Sequence, residues 1–141
     1  MEVINDISEL IELKQIKDGK DGSLFVAEQE EQIPFKIKRV YFIRDFKENI
    51  SSRGYHAHKE LEQVIFCING SFKLMIDNGS EKKYFLLNNS YQGIYIRSKL
   101  WHTMAEFSKD CVILVFASDY FNESDYIRDY NKFLDFINQV N

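Results

Sequence analysis

RGYHAHKELEQVIFCINGSFKLMID, residues 53–77, carries the reading of the fold. Near its centre Asn69-Gly70 separates two apolar runs, and an Asn-Gly pair between strand-like runs is the strongest short-range hairpin signal. In the arm after this turn, Phe72, Leu74 and Ile76 alternate with Ser71, Lys73, Met75 and Asp77. That is strand periodicity with one imperfect position, at Met75. At the start of the stretch His56 and His58 form H-x-H inside GYHAH, and residues two apart on a strand point to the same face.

Outward from this hairpin the pattern repeats. LFVAE at 24–28 and RVYFI at 39–43 precede it; KKYFLL, GIYIR at 93–97, WHTMAEF at 101–107 and CVILVFA at 111–117 follow it. All are rich in β-branched and aromatic residues, and turn signals such as Asp77-Asn78-Gly79-Ser80 separate them. Eight or nine closely spaced strands predict an all-β sandwich or barrel. Residues 14–23, KQIKDGKDGS, are expected to form a loop. From Ser124 the apolar residues Tyr126, Ile127, Tyr130, Phe133, Leu134 and Ile137 fall on a 3.6-residue period. Glu123 and Asp125 would lie in the first turn, where negative charge suits the helix dipole. This predicts one amphipathic C-terminal helix over about 123–139, packed on a β body over about 20–120, in a single domain spanning 1–141.

The composition supports a self-sufficient core, with 45% hydrophobic residues in 141, 12 Phe and 8 Tyr. A net charge of −4 leaves no basic footprint, so no nucleic-acid partner is expected. The acidic, polar start MEVINDISEL is unlike a signal peptide. No apolar run reaches the ~18 residues of a membrane span. The expectation is a soluble, cytoplasmic protein with no membrane partner. Cys67 and Cys111 sit in apolar runs without CxxC spacing and are expected to be buried, reduced thiols.

The three histidines concentrate the chemistry. His56, His58, then Glu62, then His102 some forty residues on, match the H-x-H-x3-E…H ligand pattern of cupin jelly rolls. Three readings stand on spacing alone. The first is a structural role; the second is a site for a divalent transition metal, which three imidazoles and a carboxylate suit; the third is acid–base catalysis, since imidazole titrates near neutral pH. Arg39, Arg53 and Arg97 lie in or beside strand runs and are candidates to grip phosphate. Tyr41, Tyr55, Tyr95 and Trp101 are candidates to stack on a base or bond to a sugar.

The wording of several segments goes further than their spacing. IPFKIKRVYFI, RGYHAHKELEQVIFCINGSFKLMID, GIYI, LWHTM and CVILVFASDYFNESDYIRDYNKF closely resemble the nucleotide-sugar 3,4-ketoisomerases, over about residues 20–137. The resemblance implies a cupin jelly-roll β-barrel that works without metal or other cofactor. It implies a dTDP-linked 4-keto-6-deoxysugar as substrate, and a homodimer with exchanged N-terminal strands. His56 and His58 match the family's paired histidines, and Arg39, Tyr41 and Arg53 match its phosphate- and sugar-contacting positions. One departure stands out: where the family commonly has D-x-R-G-S-L, this chain reads GKDGSL, with Asp21 at the arginine position, so either another basic residue such as Lys20 substitutes or this contact is missing.

The expected chemistry is a 3,4-keto shift through an enediol, feeding a transaminase that makes a 3-amino sugar for a surface glycan or secondary metabolite. His58 would be the base at C3, His56 a relay, Tyr41 a donor to oxygen, Arg39 and Arg53 the pyrophosphate clamp. His102 would shape the wall. The alternatives are a metal-dependent cupin enzyme, a dTDP-sugar 3,5-epimerase, and a cupin that only binds a sugar.

Overall fold

A computed structural model of the chain describes residues 10–47 and 52–140. In chain order its strands are β1 (Leu10–Glu12), β2 (Lys14–Lys17), β3 (Ser23–Val26), β4 (Arg39–Ile43), β5 (Ser52–His58) and β6 (Gln63–Asn69). They continue as β7 (Phe72–Asp77), β8 (Lys82–Leu87), β9 (Gln92–Ile96), β10 (Trp101–Ala105), β11 (Val112–Ala117) and β12 (Tyr126–Ile127), followed by helix α1 (Tyr130–Val140).

Two five-stranded antiparallel sheets, ordered β1-β9-β6-β11-β4 and β12-β5-β10-β7-β8, form the body, and β2 and β3 make a separate hairpin. This is the expected jelly-roll architecture. Ile65 and Cys67 of β6, Phe72, Leu74 and Ile76 of β7, and Ile113 and Val115 of β11 join one buried cluster. The alternate residues Val64 and Phe66 are buried in a second cluster with Ile33 and Phe35. Strand β6 is thus covered on both faces, which is why VIFCI is apolar without a break. The Asn69-Gly70 turn links β6 to β7, with Gly70 at φ +72°. Cys67 and Cys111 are buried free thiols with their Sγ atoms 3.8 Å apart.

Two expected elements differ. Lys14–Lys17 is a strand, not a loop, because it pairs with Ser23–Val26 across a 3₁₀ turn at Gly19–Asp21. The helix begins at Tyr130, not near 123. Before it come a 3₁₀ turn at Glu123–Asp125 and the short strand β12, which pairs Tyr126 with His58 and Ile127 with Ala57. Tyr126 and Ile127 fell on the helical period by coincidence; their backbone groups bond to β5 instead. The true helix start is capped by Asp129, whose carboxylate accepts the Lys132 N–H at 3.0 Å.

Helix α1 covers the outer face of the second sheet. Phe133 and Ile137 bury against Trp101, Ala57 and Ile127. Tyr130 ties the helix to the end of β7 by donating its hydroxyl to the buried Asp77 carboxylate at 2.6 Å. That acceptor pushes the Tyr130 phenol up to about 12. No helix among the described residues is long and apolar enough to cross a membrane.

Candidate active site

The site lies between the two sheets. Strand β4 sends Arg39, Tyr41 and Ile43 inward at every second position, into a cavity of about 410 Å³. Facing them are Arg53, Gly54 and His56 of β5, and His102 and Met104 of β10; Gln63, Ile65 and Val115 form the floor, with Tyr126 and Arg128 from the tail.

Arg53 and His56 are three residues apart, so strict alternation would place them on opposite faces. A β-bulge resolves this. His56 pairs with His102, yet Gly54 pairs with the next residue, Thr103, and Arg53 with Met104. Tyr55 is the extra residue, and Gly54 and Tyr55 both have positive φ, +90° and +61°. The bulge turns Arg53 onto the face that His56 occupies and throws Tyr55 outward. Gly54 also packs closely against β10: a Cβ there would stand 3.0 Å from the His102 carbonyl oxygen.

The imidazoles form a tight group. The His56 ring lies 5.0 Å from His58 and 4.6 Å from His102, both edge to face. Tyr126 packs on the first two at 4.9 and 4.4 Å. Burial holds all three pKa values below the ordinary histidine range. His56 is brought down to about 4, chiefly by desolvation and then by His58. His102 lies well below the ordinary value, first through complete burial and then through repulsion from His56 and His58. His58 is also lowered by burial, but Asp125 opposes the shift. Near neutral pH these rings are uncharged proton acceptors.

His56 lines the large cavity, whereas His58 lines an adjoining one of about 170 Å³; Arg39 and Tyr126 border both. The His58 Nδ1 lies 3.1 Å from an Asp125 carboxylate oxygen. Among the described residues, four buried side-chain nitrogens have no hydrogen-bond partner: Arg39 Nε, His56 Nδ1, His58 Nε2 and His102 Nδ1. Unpaired buried polar atoms are costly, so the three at the large cavity, with His58 Nε2 beside the adjoining one, mark a place prepared for a polar ligand. The Tyr41 hydroxyl accepts from Gln63 Nε2 at 2.9 Å, leaving its proton to donate. Burial keeps that phenol above its usual value, although Arg39 pulls the other way.

Of the residues singled out from sequence, Arg39, Tyr41, Arg53, His56 and His102 converge on the large cavity, with His58 beside it. Five do not. Tyr55 is 52% exposed on the outer face, and Trp101, 5% exposed, packs under α1 against Tyr130 and Phe133. Tyr95 and Glu62 bond to each other at 3.0 Å. Arg97 lies over Tyr95, with its guanidinium carbon 6.0 Å from the ring centre. Glu62 therefore does not join the histidines, and no group of three His, Cys, Asp or Glu among the described residues is arranged to hold a metal ion. Asp21 and Lys20 sit at the exposed tip of the β2–β3 hairpin. Gln63, Asp125, Tyr126 and Arg128 were not legible as site residues. All but Gln63 come from the tail read as helix.

The family described as "FdtA: WxcM-like, C-terminal" matches residues 6–138. A TDP-4-oxo-6-deoxy-alpha-D-glucose-3,4-oxoisomerase of Aneurinibacillus thermoaerophilus is 45% identical over 134 residues, covering 95% of each chain. A solved complex of a histidine-to-asparagine mutant of the 3,4-ketoisomerase QdtA of Thermoanaerobacterium thermosaccharolyticum with TDP-4-keto-6-deoxyglucose is 42% identical. It superposes with a TM-score of 0.89 and covers 95% of this chain and 96% of that one. A 3,4-ketoisomerase of Helicobacter canadensis is 40% identical, with a TM-score of 0.88 over 93% and 97% of the two chains. With the family match running over residues 6–138 and a relative 45% identical over 95% of both chains, the chain belongs to the FdtA family of sugar 3,4-ketoisomerases.

Proposed function

We propose that this isomerase converts dTDP-4-keto-6-deoxyglucose into a dTDP-3-keto-6-deoxyhexose, the precursor of a 3-amino-3,6-dideoxysugar. One observation carries the reading: neutral imidazoles and an unpaired, buried guanidinium nitrogen share one cavity in a chain of this family. The chemistry asks for that combination. The C4 ketone acidifies the proton at C3; a base removes it, an enediolate forms, and reprotonation at C4 leaves the ketone at C3.

Arg39 and Arg53 hold the pyrophosphate, so the sugar is placed against the rings before any bond changes. Tyr41 donates its hydroxyl to an oxygen where negative charge develops. His58 takes the C3 proton and His56, which faces the cavity, orients the sugar and relays protons. His102 forms the wall behind them. The active form is a homodimer with exchanged N-terminal strands, to which the separate β2–β3 hairpin and its exposed Ile16 and Leu24 are suited.

Arg53 makes no bond to the reacting carbons in this scheme. Arg53→Ala is expected to raise KM on the order of tenfold, the loss of one charge-assisted contact of about 1.4 kcal/mol, with kcat much less affected. An unchanged KM removes Arg53 from the phosphate site. The proposal as a whole is tested by incubating the purified protein with dTDP-4-keto-6-deoxyglucose and offering the product to a sugar-nucleotide 3-aminotransferase. An aminated product is expected; sugar recovered unchanged contradicts it.

A further inference from the structure

Strand β6 presents Gln63, Ile65 and Cys67 to the interior, and only the first of them carries an amide. Gln63 is 4% exposed and forms part of the floor of the large cavity. A buried amide is costly unless it is hydrogen-bonded. Its Nε2 donates to the Tyr41 hydroxyl at 2.9 Å.

That bond crosses a strand. β6 and β4 lie on either side of β11, roughly 10 Å apart at the ordinary strand spacing. Val115 of β11 pairs with Tyr41 and Ile65, while Ala117 pairs with Arg39 and Gln63. Gln63 therefore sits one inward position along from Tyr41 and reaches it diagonally. Level with Gln63, β11 carries Ala117, whose side chain has nothing beyond Cβ to stand in that path. The start of β6 is also pinned to the end of β11. Ser118 Oγ accepts the Glu62 N–H at 2.9 Å, and the Glu62 carbonyl accepts the Ser118 N–H at 3.0 Å. The backbone carrying Gln63 is thereby fixed against the strand its amide crosses.

A phenol oxygen both donates and accepts, whereas an amide N–H only donates. The polarity of the contact is therefore set: with Gln63 as donor, the one proton of Tyr41 is left to point at a ligand oxygen. An acceptor at position 63 would turn that proton into the floor instead. The phenol also keeps its proton near neutral pH. Burial raises its pKa and outweighs Arg39, the Gln63 bond and Arg53, which lower it, while Tyr126 adds to the rise.

We propose that Gln63 is a positioning residue for Tyr41: by donating to the hydroxyl, it aims the phenol proton at the sugar oxygen on which charge develops during the keto shift. The inference rests on Tyr41 being the donor to that oxygen in the proposed reaction. Gln63 itself touches no reacting atom and exchanges no proton.

The test is a double-mutant cycle in the full chain, with dTDP-4-keto-6-deoxyglucose as substrate. Gln63→Met keeps the length of the side chain without a donor. It is expected to lower kcat on the order of tenfold, the scale of one hydrogen bond, with KM changed by less than about threefold. In a Tyr41→Phe background the same substitution should change kcat by less than about twofold, because its route of action is gone. Gln63→Glu is isosteric but, once ionised, only accepts. It should lower kcat on the order of 100-fold, as far as Tyr41→Phe itself. A packing role alone predicts equal losses from Gln63→Met in the two backgrounds, and that result overturns the assignment. So does a folded Gln63→Glu variant with wild-type kcat. Should neither Gln63 variant fold, nitrogen-15 NMR of the Gln63 side-chain amide decides. Its resonance is expected to shift between wild type and Tyr41→Phe, and an unmoved resonance overturns the bond. A wild type that leaves the sugar unchanged brings down the ketoisomerase reading and this assignment with it; equal losses in an active enzyme remove Gln63 alone.

Discussion

Replacing His58 by Asn is expected to lower turnover by ~100-fold or more, the usual effect of losing an acid–base group. Asparagine preserves much of the ring's shape and can still donate an amide N–H toward Asp125, so the fold and the β5–β12 pairing should survive. It cannot accept a proton at the position of Nε2. Loss of turnover with an unchanged melting temperature and unchanged dTDP affinity is the expected pattern. His56→Asn provides the comparison, because His56 faces the large cavity while His58 is tied to a carboxylate behind it. Near-normal turnover in His58→Asn, with the loss falling on His56→Asn instead, would transfer the base to His56 and leave His58 the relay.

The second large effect is expected at a residue with no chemistry of its own. Gly54→Ala should cut kcat/KM by roughly 100-fold, since catalytic geometry misplaced by about 1 Å carries losses of that size. Gly54 adopts φ +90°, and an added Cβ would lie 3.0 Å from the His102 carbonyl oxygen and 3.2 Å from the Thr103 Cα. Both contacts are with backbone, so no flexible side chain can move aside. Relieving them means separating β5 from β10 or flattening the bulge. Either response shifts Arg53, His56 and His102 together, because their relative placement depends on that irregular register. Backbone strain adds about 1–3 kcal/mol of destabilisation. Steady-state kinetics at a temperature well below the variant's melting point separates the two effects. Wild-type kcat/KM in the folded variant would show that the bulge does not set the site.

How much of this was legible in the sequence depends on the kind of regularity involved. Period-two alternation revealed β7 and the shared face of His56 and His58, whereas Arg39 and Tyr41 came together only through the resemblance in wording. The same parity assigns Tyr55 and Trp101 away from the site, since each directly precedes an inward histidine. Counting them as ligand contacts overlooked that rule. The bulge is less accessible: Gly54 permits it, but nothing in GYHAH states that the register breaks there, so Arg53's inward turn had no periodic signature. Glu62 fitted a metal-ligand spacing, yet a loop after β5 carries it toward Tyr95. Asp125 was taken for a dipole-complementing residue of a helix that starts five residues later. Its true partner is brought to it by the β12–β5 pairing, a long-range contact that local sequence does not encode.

The most direct measurement is proton NMR of the reaction of the wild-type protein with dTDP-4-keto-6-deoxyglucose in deuterated water. The account predicts that the ketone moves from C4 to C3 and that the C5 proton is retained. The chain should do this after exhaustive chelation as well as before it. A ketone that stays at C4 while deuterium enters C5 would mean an epimerase, and a sugar that binds with no change at any carbon would mean a binding protein; either contradicts the account.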